Sequence, residues 1–476
     1  MLGIYKTHTG FWIITDSQSG SKITGGKGLY NRIKQLSNGI QRIWIGVFLL
    51  MAIVALAACG SDDTPASPAA TSVPAAPAAT SAPASPSNTV GGSSDGITAT
   101  NPSSDALAGG STEIFLKGFE DANASSKFRS TSEFAAAAKP RAAGEKLKIG
   151  FIFVGSQKDL GYNQAAAEGS QYLEAVFDDV EILRSENIPE TADVQAVEEQ
   201  MIRAGAEIIF ATSYGYSGPT KEIIAKHPDV MFLHMGDVES HENYGTFFGN
   251  IWQLEYAAGQ VAGHTSKSGK LGFIAAFPIP QTLLNVNAFH LGARSVDPDI
   301  ETTFVLTNDW CDPAKQATAV QAMIDAGVDV LTQHQDCTKT IVEAAERAGI
   351  YVSGYHQDAS PAAPNAWLTG AAWNWGPVYA EIVAEIRKGT YKSSVMFQGL
   401  DAGWVKLSPF GAFLPDDVKQ STLDTVESLR TGGFQPFTGP IKDQDGVVQI
   451  ADGVVPTDPE LQGIGFLLEG ITGRTN

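Results

Sequence analysis

Cysteine is scarce in this chain of 476 residues: there are three, and none belongs to a tight Cys-x-x-Cys or His-x-x-x-His ligand pair. The sequence also lacks a P-loop, a Gly-x-Ser-x-Gly nucleophile elbow and a usefully placed Rossmann glycine pattern. These absences argue against a structural zinc site and against the common classes of enzyme. A metal-binding receptor stays open as an alternative, because His334, Asp336, Cys337, His356 and Asp358 could converge at neighbouring strand ends.

Basic residues are also few. The chain holds 32 Lys and Arg against 52 Asp and Glu, for a net charge of −20. Residues 1–42 contain six of the basic residues and one Asp, so the remainder is more acidic still. Such a surface repels phosphate backbones, which argues against a nucleic-acid partner. It also argues against broad adhesion to anionic lipid, so any membrane link should be a covalent lipid.

A full-length apolar span is missing. Residues 43–58, "IWIGVFLLMAIVALAA", are uncharged but short of the about 20 residues that a membrane helix needs. A basic segment, a short apolar segment and small residues before a cut site are typical of a secretory signal. The segment Leu56-Ala57-Ala58-Cys59 resembles the bacterial lipobox, so we predict that Cys59 is lipidated and anchors the mature protein on the extracytoplasmic face of the cell membrane. An ordinary signal, or an anchor helix with a chance cysteine, is the alternative.

The segment after Cys59 is dominated by Ala, Pro, Ser, Thr and Gly and cannot build a core. We predict a flexible tether over 59–145, and the structure of 111–144 stays open.

Aliphatic and amphipathic segments alternate from Lys146 onward. "KLKIGFIFVG" (146–155) is typical of a buried strand, and "NQAAAEGSQYLEAVF" (163–177) of a helix. The alternation continues to "IYVSGYH" (350–356), which predicts right-handed βαβ units and parallel sheets. "MIRAGAEIIFATS" is echoed by "MIDAGVDVLTQH", so the sequence predicts an α/β fold of two similar lobes, each a parallel sheet flanked by helices. The predicted divisions are a signal peptide at 1–58, the tether at 59–145, a first lobe at 146–268, a second lobe at 269–370 and a shared return segment at 371–476.

Polar and aromatic residues follow the predicted strands, while the strands themselves are aliphatic. In open α/β sheets, ligands bind at the carboxyl ends of the strands, so two such lobes should share a crevice lined by these residues. Flat side chains at the crevice suit a flat ligand held by stacking, with a few polar groups at its edge. The predicted ligand-binding residues are Asp159, Tyr162, Asn163, Tyr214, Tyr216, Trp310, Asp336, His356, Asp358, Trp373 and Trp375.

The body from about 146 to 470 resembles the basic membrane protein (BMP) family of lipoproteins, the purine nucleoside-binding components of ABC importers. The resemblance is carried by "DLGYNQAAAEG" (159–169), "FFGNIWQLEYAAGQVAG", "DPAKQATAVQAMIDAGVDVL" and "VEAAERAGIYVSG". It implies a two-lobed type I periplasmic-binding fold without catalysis or cofactor, a purine ligand, and a permease and ATPase as partners. A monomer is expected.

The resemblance also implies roles for individual residues. Asp159 and Asn163 match the motif positions that reach the base edge, Tyr162 matches the motif aromatic, and Tyr214 falls near the family's stacking ring. Many nucleoside-binding members read Gly-Val-Asp-Ser-Asp where this chain has Gly-Tyr-His-Gln-Asp at 354–358, so His356 replaces a carboxylate that can hold ribose hydroxyls.

A neutral histidine offers one donor and one acceptor, so His356 cannot replace a bidentate carboxylate. We therefore expect free purine bases to bind more tightly than nucleosides, although Asp358 could still supply a carboxylate. A sugar or another polar solute on the same fold is the alternative ligand.

Cys311 and Cys337 each lie three residues past a predicted strand, 302–308 and 328–334. One crossover helix joins those strands, and strands so joined are usually neighbours. In an oxidising compartment this predicts a disulfide at the rim of the cleft, with Cα atoms within about 7 Å. We also expect ligand binding and closure of the two lobes to be one event.

Overall fold

The computed structural model describes residues 144–475 and, before them, the backbone of four short strands. Those strands are Leu2–Lys6 (β1), Trp12–Asp16 (β2), Lys22–Gly25 (β3) and Thr98–Ala99 (β4). β1, β2 and β3 form a small antiparallel sheet within a unit that covers Met1–Val90. The predicted cut site at Cys59, and the apolar run 43–58 before it, lie outside the described residues, as does nearly all of the predicted tether.

The unit Gly91–Asn476 contains two seven-stranded sheets, which are the sheets of the two lobes. The first runs in the order β15-β9-β8-β7-β5-β6-β4 and is parallel except for β4. Its strands are Leu147–Ile152 (β5), Val180–Ser185 (β6), Ala206–Ala211 (β7), Met231–Met235 (β8), Tyr244–Gly249 (β9) and Val395–Gln398 (β15). Its helices are Tyr162–Val176 (α1), Asp193–Arg203 (α2) and Ser217–Lys221 (α3).

The second sheet runs in the order β16-β14-β13-β12-β10-β11-β19 and is parallel except for β16. Its strands are Lys270–Ala275 (β10), Glu301–Leu306 (β11), Val330–His334 (β12), Tyr351–His356 (β13), Trp367–Trp373 (β14), Val405–Leu407 (β16) and Ile471–Thr472 (β19). Its helices are Trp252–Thr265 (α4), Pro280–Arg294 (α5), Pro313–Asp325 (α6) and Lys339–Ala348 (α7). Trp375–Lys388 (α8) follows β14 but packs on the first sheet, where the ring centroids of Tyr379 and Phe210 are 4.8 Å apart.

The last hundred residues contribute to both sheets, with β15 in the first and β16 and β19 in the second. They also form Asp416–Arg430 (α9), the hairpin of Ile441–Lys442 (β17) and Val448–Ile450 (β18), and Asp458–Leu461 (α10).

Local sequence explains where the elements form and stop. Every residue of β12 and β14 is buried, as expected for central strands covered by helices on both faces. The Asp312 carboxylate accepts from the N–H groups of Ala314 and Lys315, which caps α6 behind Pro313. α7 ends at Gly349, whose φ of +69° is the left-handed conformation that glycine adopts without a steric penalty.

Helices α4 and α5 pack backbone against backbone. A Cβ atom on Gly259 would lie 2.0 Å from the Phe289 carbonyl oxygen, and one on Gly292 would lie 1.9 Å from that of Tyr256. The two glycines therefore permit a helix contact that a side chain would prevent. This contact fixes α5, whose first turns carry polar side chains toward the end of β12.

Candidate functional site

A cavity lies between the two lobes at the carboxyl ends of the strands. The empty space in it is ≈ 370 Å³, a figure that includes space open to solvent. Its lining residues are Tyr162, Ser213, Tyr214, Met235, Gly236, Phe248, Ile279, Gln281, Trp310, His334, Asp336 and His356.

The lobes touch each other directly around this cavity. The Tyr162 N–H donates to the Asp336 carbonyl at 3.3 Å, and the Thr338 hydroxyl donates to the Leu160 carbonyl at 2.6 Å. At the other rim, Trp310 Nε1 donates to Glu190 Oε2 at 3.0 Å. A Cβ atom on Gly161 would lie 1.7 Å from the Asp336 carbonyl oxygen, so this close approach requires glycine. The two lobes are therefore closed on each other around the cavity.

His356 lies at the end of β13 and is held in an unusual state. Its φ of +74° is in the left-handed region, which a non-glycine residue occupies only when its surroundings impose it. Trp373 Nε1 donates to His356 Nδ1 at 2.8 Å. An indole nitrogen can only donate, so Nδ1 is the acceptor and the neutral ring carries its proton on Nε2.

The Nε2 atom of His356 is buried and has no hydrogen-bond partner in the described part of the chain. Burial, and then the neighbouring His334, lower the pKa of His356 well below its ordinary value, against a smaller opposing effect of the Gln335 backbone. The ring is thus neutral at physiological pH and lines the cavity, and apart from a weak interaction with the Gln335 backbone its N–H donor has no partner among the described residues. A buried donor without a partner is costly, so a bound ligand is the natural acceptor.

His334, at the end of β12, repeats this arrangement. Asn285 Nδ2 lies 3.2 Å from His334 Nδ1 and 2.8 Å from the Tyr355 hydroxyl, and as an amide N–H group it donates to both. Burial lowers the pKa of His334 to about 3, so this ring is also neutral and its proton is on Nε2. The ring centroids of His334 and His356 are 5.8 Å apart.

Asp336 is the one carboxyl group in the described lining of the cavity. Burial, and then the nearby Asp159 and Glu190 carboxylates, raise the pKa of Asp336 well above its ordinary value. Burial therefore disfavours the charged form at His334, Asp336 and His356 alike, which suits an uncharged ligand.

Asp159 and Asn163 do not line the cavity, which differs from the prediction that they reach the ligand edge. The Asp159 carboxylate accepts from the backbone N–H groups of Gly161, Asn163 and Gln164 at 2.8–3.1 Å, and so serves the first turn of α1. Asn163 Nδ2 donates to Asp159 Oδ2 at 2.8 Å and contacts Asp336 Oδ2 at 3.5 Å. Asn163 Oδ1 accepts from the Gly155 N–H at 3.1 Å. Asp159 and Asn163 thus form a hydrogen-bonded pair that contacts Asp336 through the Asn163 amide.

The predicted aromatic residues divide between the wall and the layer behind it. Tyr162, Tyr214 and Trp310 line the cavity. Trp373 and Trp375 are buried behind His356 and stack on each other with centroids 4.8 Å apart. Tyr216 is buried, and its hydroxyl donates to the Ile188 carbonyl at 2.5 Å.

Asp358 is exposed and lies outside the cavity, where its carboxylate accepts from the Ser360 N–H at 3.0 Å. Asp358 was predicted to line the ligand site, and the structure places it outside that site. Sequence reasoning missed Ser213, Met235, Gly236, Phe248, Ile279 and Gln281 as ligand-binding residues, and it named His334 only as a possible metal ligand. Of these, Ser213 and Gly236 closely follow β7 and β8, which is the signal that could have identified them.

Cys311 and Cys337 are joined by a disulfide with their Cα atoms 5.2 Å apart. The prediction that their strands are neighbours is wrong, because β10 lies between β11 and β12. The loops after those strands meet beyond the end of β10, where the Asp336 N–H donates to the Trp310 carbonyl at 2.9 Å. Each cysteine directly follows one of these two lining residues, so the disulfide links two walls of the cavity.

Two further observations concern metal ligands and membrane-spanning helices. Among residues 144–475, no group of three His, Cys, Asp or Glu side chains is placed to hold a metal ion. In the part of the chain that the structure describes, no helix is both long enough and apolar enough to cross a membrane.

Comparison with solved structures places the fold among two-lobed solute receptors. An ABC transporter solute-binding protein from Aeropyrum pernix has a TM-score of 0.54 at 16% identity, over 67% of this chain and 95% of its own. One from Conexibacter woesei has a TM-score of 0.52 at 22% identity, over 61% of this chain and 98% of its own. The fold is thus the type I periplasmic-binding architecture.

Sequence comparison gives the family. The model of the Bmp family, described as ABC transporter substrate-binding protein PnrA-like, matches residues 146–430. A purine-binding protein of Brucella abortus is 38% identical over 70% of this chain and 95% of its own length. A provisionally named ABC transporter glucose-binding protein of Haloferax volcanii is 30% identical over 62% of this chain and 75% of its own.

The chain belongs to the Bmp family of PnrA-like substrate-binding proteins. It is a receptor and not an enzyme, and it works outside the cytoplasm. Its partners are a small-molecule ligand and the permease and ATPase subunits of an ABC transporter.

Proposed function

We propose that this receptor captures a purine and delivers it to its ABC transporter, and that it prefers the free base to the nucleoside. The observation that carries the proposal is the buried, unpartnered Nε2–H donor of His356 on the wall of a closed, aromatic-lined cavity. A purine offers flat faces for stacking and acceptors around its edge. Stacking on aromatic side chains contributes about 1–3 kcal/mol per base at comparable sites.

The electrostatics of the cavity support the same ligand class. His334 and His356 are neutral donors, and the raised pKa of Asp336 favours a neutral carboxyl group that can donate as well as accept. Purine bases are uncharged near neutral pH and need no buried counter-ion. The named function of the Brucella abortus relative, at 38% identity, also supports a purine.

The preference for the base rests on what the cavity does not offer a ribose. Asp358 lies outside the lining, and His356 has one free donor in place of a bidentate acceptor. A ribose hydroxyl buried without a partner costs about 1–3 kcal/mol. We expect adenine or guanine to bind at least about tenfold more tightly than its nucleoside, which corresponds to about 1.4 kcal/mol.

A sugar is the second candidate, and the name of the Haloferax volcanii relative favours it. Sugars also stack on aromatic rings, but their many hydroxyl groups require several acceptors. The side-chain oxygens in the described lining that can accept are those of the Asp336 carboxyl group, Gln281, Ser213 and the phenols of Tyr162 and Tyr214.

Titration calorimetry of the purified full-length chain decides between these ligands. The titrants are adenine, guanine, adenosine, guanosine and glucose, and we expect heat from the two bases first. Tighter binding of glucose than of any purine would overturn the purine assignment. Nucleosides that bind as tightly as bases would overturn only the preference for the base.

We further propose that Cys59 carries the lipid that holds the receptor at the membrane, because Leu-Ala-Ala-Cys precedes a tether-like segment. Cys59→Ser should release the protein or leave it unprocessed. If the variant is cut normally and still sediments with membranes, the anchor is elsewhere.

A further inference from the structure

We propose that Trp373 and Asn285 are positioning residues that hold His356 and His334 in the tautomer that presents two Nε2–H donors to the ligand. The inference rests on the proposed function in one respect only: it takes the cavity between the lobes as the ligand site. It extends that proposal by describing the ligand edge, which must offer an acceptor to each ring.

The indole N–H of Trp373 determines the tautomer of His356. An indole N–H donates and never accepts, so the 2.8 Å contact to His356 Nδ1 forces that nitrogen to be the acceptor. Trp373 itself is 2% exposed and is packed between Phe248 and Trp375, with centroids at 5.0 and 4.8 Å. The indole therefore has little freedom to turn away from the histidine.

Asn285 acts on His334 in the same sense. It lies on α5 at 2% exposure, and its amide nitrogen reaches both His334 Nδ1 at 3.2 Å and the Tyr355 hydroxyl at 2.8 Å. The two protons of one amide nitrogen suffice for both contacts. His334 is thereby left with its proton on Nε2, at the lining of the cavity.

Two fixed donors restrict the edge of the ligand. A heteroaromatic ring with two unprotonated ring nitrogens, or with one such nitrogen and a carbonyl oxygen, meets both. A ring with N–H groups at these places would bring donor against donor and leave buried groups unpaired, which is the costly outcome. The two residues behind the wall thus contribute to specificity without touching the ligand.

Trp373→Phe is the sharpest test, because it keeps a buried aromatic ring and removes one N–H. Trp367→Phe is the matched control. Trp367 lies on the same strand, is 1% exposed, and donates one indole hydrogen bond, to the Pro409 carbonyl at 2.9 Å. Asn285→Leu removes the amide behind His334, and its control, Tyr355→Phe, removes the other acceptor of Asn285 while leaving the contact to His334.

The first readout is the tautomer itself, from long-range ¹H–¹⁵N correlation spectra of the full-length chain labelled with ¹⁵N-histidine. In the wild type, His334 and His356 should both show an unprotonated Nδ1 and a protonated Nε2. In Trp373→Phe the His356 signals should move toward a mixture of tautomers, and in Asn285→Leu those of His334 should do so. Trp367→Phe and Tyr355→Phe should leave both patterns unchanged. A protonated Nδ1 on either ring of the wild type would overturn the proposal without any variant.

The second readout is binding of adenine and guanine by calorimetry. Each positioning variant should bind the bases about tenfold more weakly, which is the size of one lost hydrogen bond, while each control stays within about twofold of the wild type. Equal losses in Trp373→Phe and Trp367→Phe would show that packing alone matters and would overturn the proposal. If neither base binds the wild type, the purine assignment fails, while the tautomers still decide whether Trp373 and Asn285 position the rings.

Discussion

The two lobes repeat one architecture and contribute different chemistry to the cavity. The first lobe supplies Tyr162, Ser213, Tyr214, Met235, Gly236 and Phe248, and the second supplies Ile279, Gln281, Trp310, His334, Asp336 and His356. Apart from Ser213 and the phenol hydroxyls, the first set presents flat or apolar surface. The second set holds both imidazoles and the carboxyl group. The first lobe is thus suited to the faces of a flat ligand, and the second to its edge.

The repeated sequence shows where the difference arises. In "MIRAGAEIIFATS" and "MIDAGVDVLTQH" the helix end, the Ala-Gly turn and the strand correspond. Continuing this alignment past the strands pairs Thr212 with His334 and Tyr214 with Asp336. The strands are interchangeable hydrophobic supports, whereas the residues just beyond them set the chemistry of each lobe. The following predictions test this division, from the largest expected effect to the smallest.

Separating the lobes should abolish the site. Gly161→Ala places a methyl group where the Asp336 carbonyl oxygen of the opposite lobe lies 1.7 Å away, so the lobes cannot close as they do here. We expect adenine affinity to fall about a hundredfold or more, which is about 2.7 kcal/mol or more. Calorimetry measures the loss, and small-angle scattering should show that adenine compacts the wild type but not the variant.

Gly218→Ala is the control for Gly161→Ala, because a Cβ atom at Gly218 meets nothing within 4 Å. If Gly161→Ala binds adenine and compacts like the wild type, the closed contact is not required for binding.

Changing the second lobe should change selectivity. His356→Asp exchanges the free donor for an acceptor that could hold ribose hydroxyls. Adenine should bind about tenfold more weakly, and the ratio of base to nucleoside affinity should fall by at least as much. Calorimetry with adenine and adenosine gives the ratio.

His264→Asp, on the exposed side of α4, is the control for the added charge. A ratio that does not change in His356→Asp would show that this ring does not discriminate between base and nucleoside.

Changing the first lobe should change affinity without changing selectivity. Phe248 is 7% exposed at the cavity wall, and Phe248→Leu replaces a flat face with a branched one. We expect adenine and adenosine to lose about 1 kcal/mol each, at the low end of base-stacking energies. Phe413→Leu, at an exposed phenylalanine, should have no effect on either. A loss confined to one of the two ligands would break the proposed division between faces and edge.

The smallest expected effect is that of pH on binding. Burial lowers the pKa of His334 to about 3, and that of His356 also lies well below its ordinary value. A histidine with its ordinary pKa near 6.5 would gain a proton as the pH falls through that value, and its Nδ1 could then no longer accept. With lowered pKa values both rings stay neutral, so these two histidines should change adenine affinity less than about twofold between pH 5 and 8. Asp336 has a raised pKa and lies in the same lining, so the measurement is made in Asp336→Asn. A loss of binding with a midpoint near pH 6.5 in that variant would contradict the lowered values.

The two histidines also make the free energy of unfolding depend on pH, in a definite direction over the same range. In the unfolded chain these histidines take up protons below about pH 6.5, while in the folded protein they do not until far lower pH. At these two sites the unfolded state therefore binds more protons, so the stability that the neutral histidines contribute decreases as the pH falls below 6.5, whereas the raised pKa of Asp336 acts in the opposite direction. Denaturant unfolding of the wild type and of His334→Gln at pH 5 and pH 7 would isolate the histidine contribution, which should be smaller in the variant.

The sequence predicted the fold because the strands are aliphatic runs and the helices between them have regular apolar spacing. It missed β9, whose "YGTFFG" combines glycine with residues that fit a core in any conformation. Phe248 lies on that strand, and Met235 ends β8, so both looked like ordinary core residues.

The strand-end rule identified Tyr162, Tyr214, Trp310, Asp336 and His356, because it states which part of the chain reaches the cleft. The rule predicts which residues of the chain lie at the cleft, but it does not predict the direction in which each side chain points. Tyr216 lies two residues after Tyr214, and Trp375 lies two residues after Trp373; both side chains are buried in the core. Asp358 lies two residues after His356, and its side chain is exposed to solvent. The direction of each side chain depends on the local turn, which no spacing pattern in these loops records.

The disulfide between Cys311 and Cys337 has a consequence for the speed of capture. It ties together the loops that carry Trp310 and Asp336, so this half of the site is assembled when the chain folds and not when the ligand arrives. The conformational entropy of ordering two loops is then already lost before binding, and little remains to be lost on association. An open form of the protein would therefore meet its ligand with the Trp310 and Asp336 loops already joined.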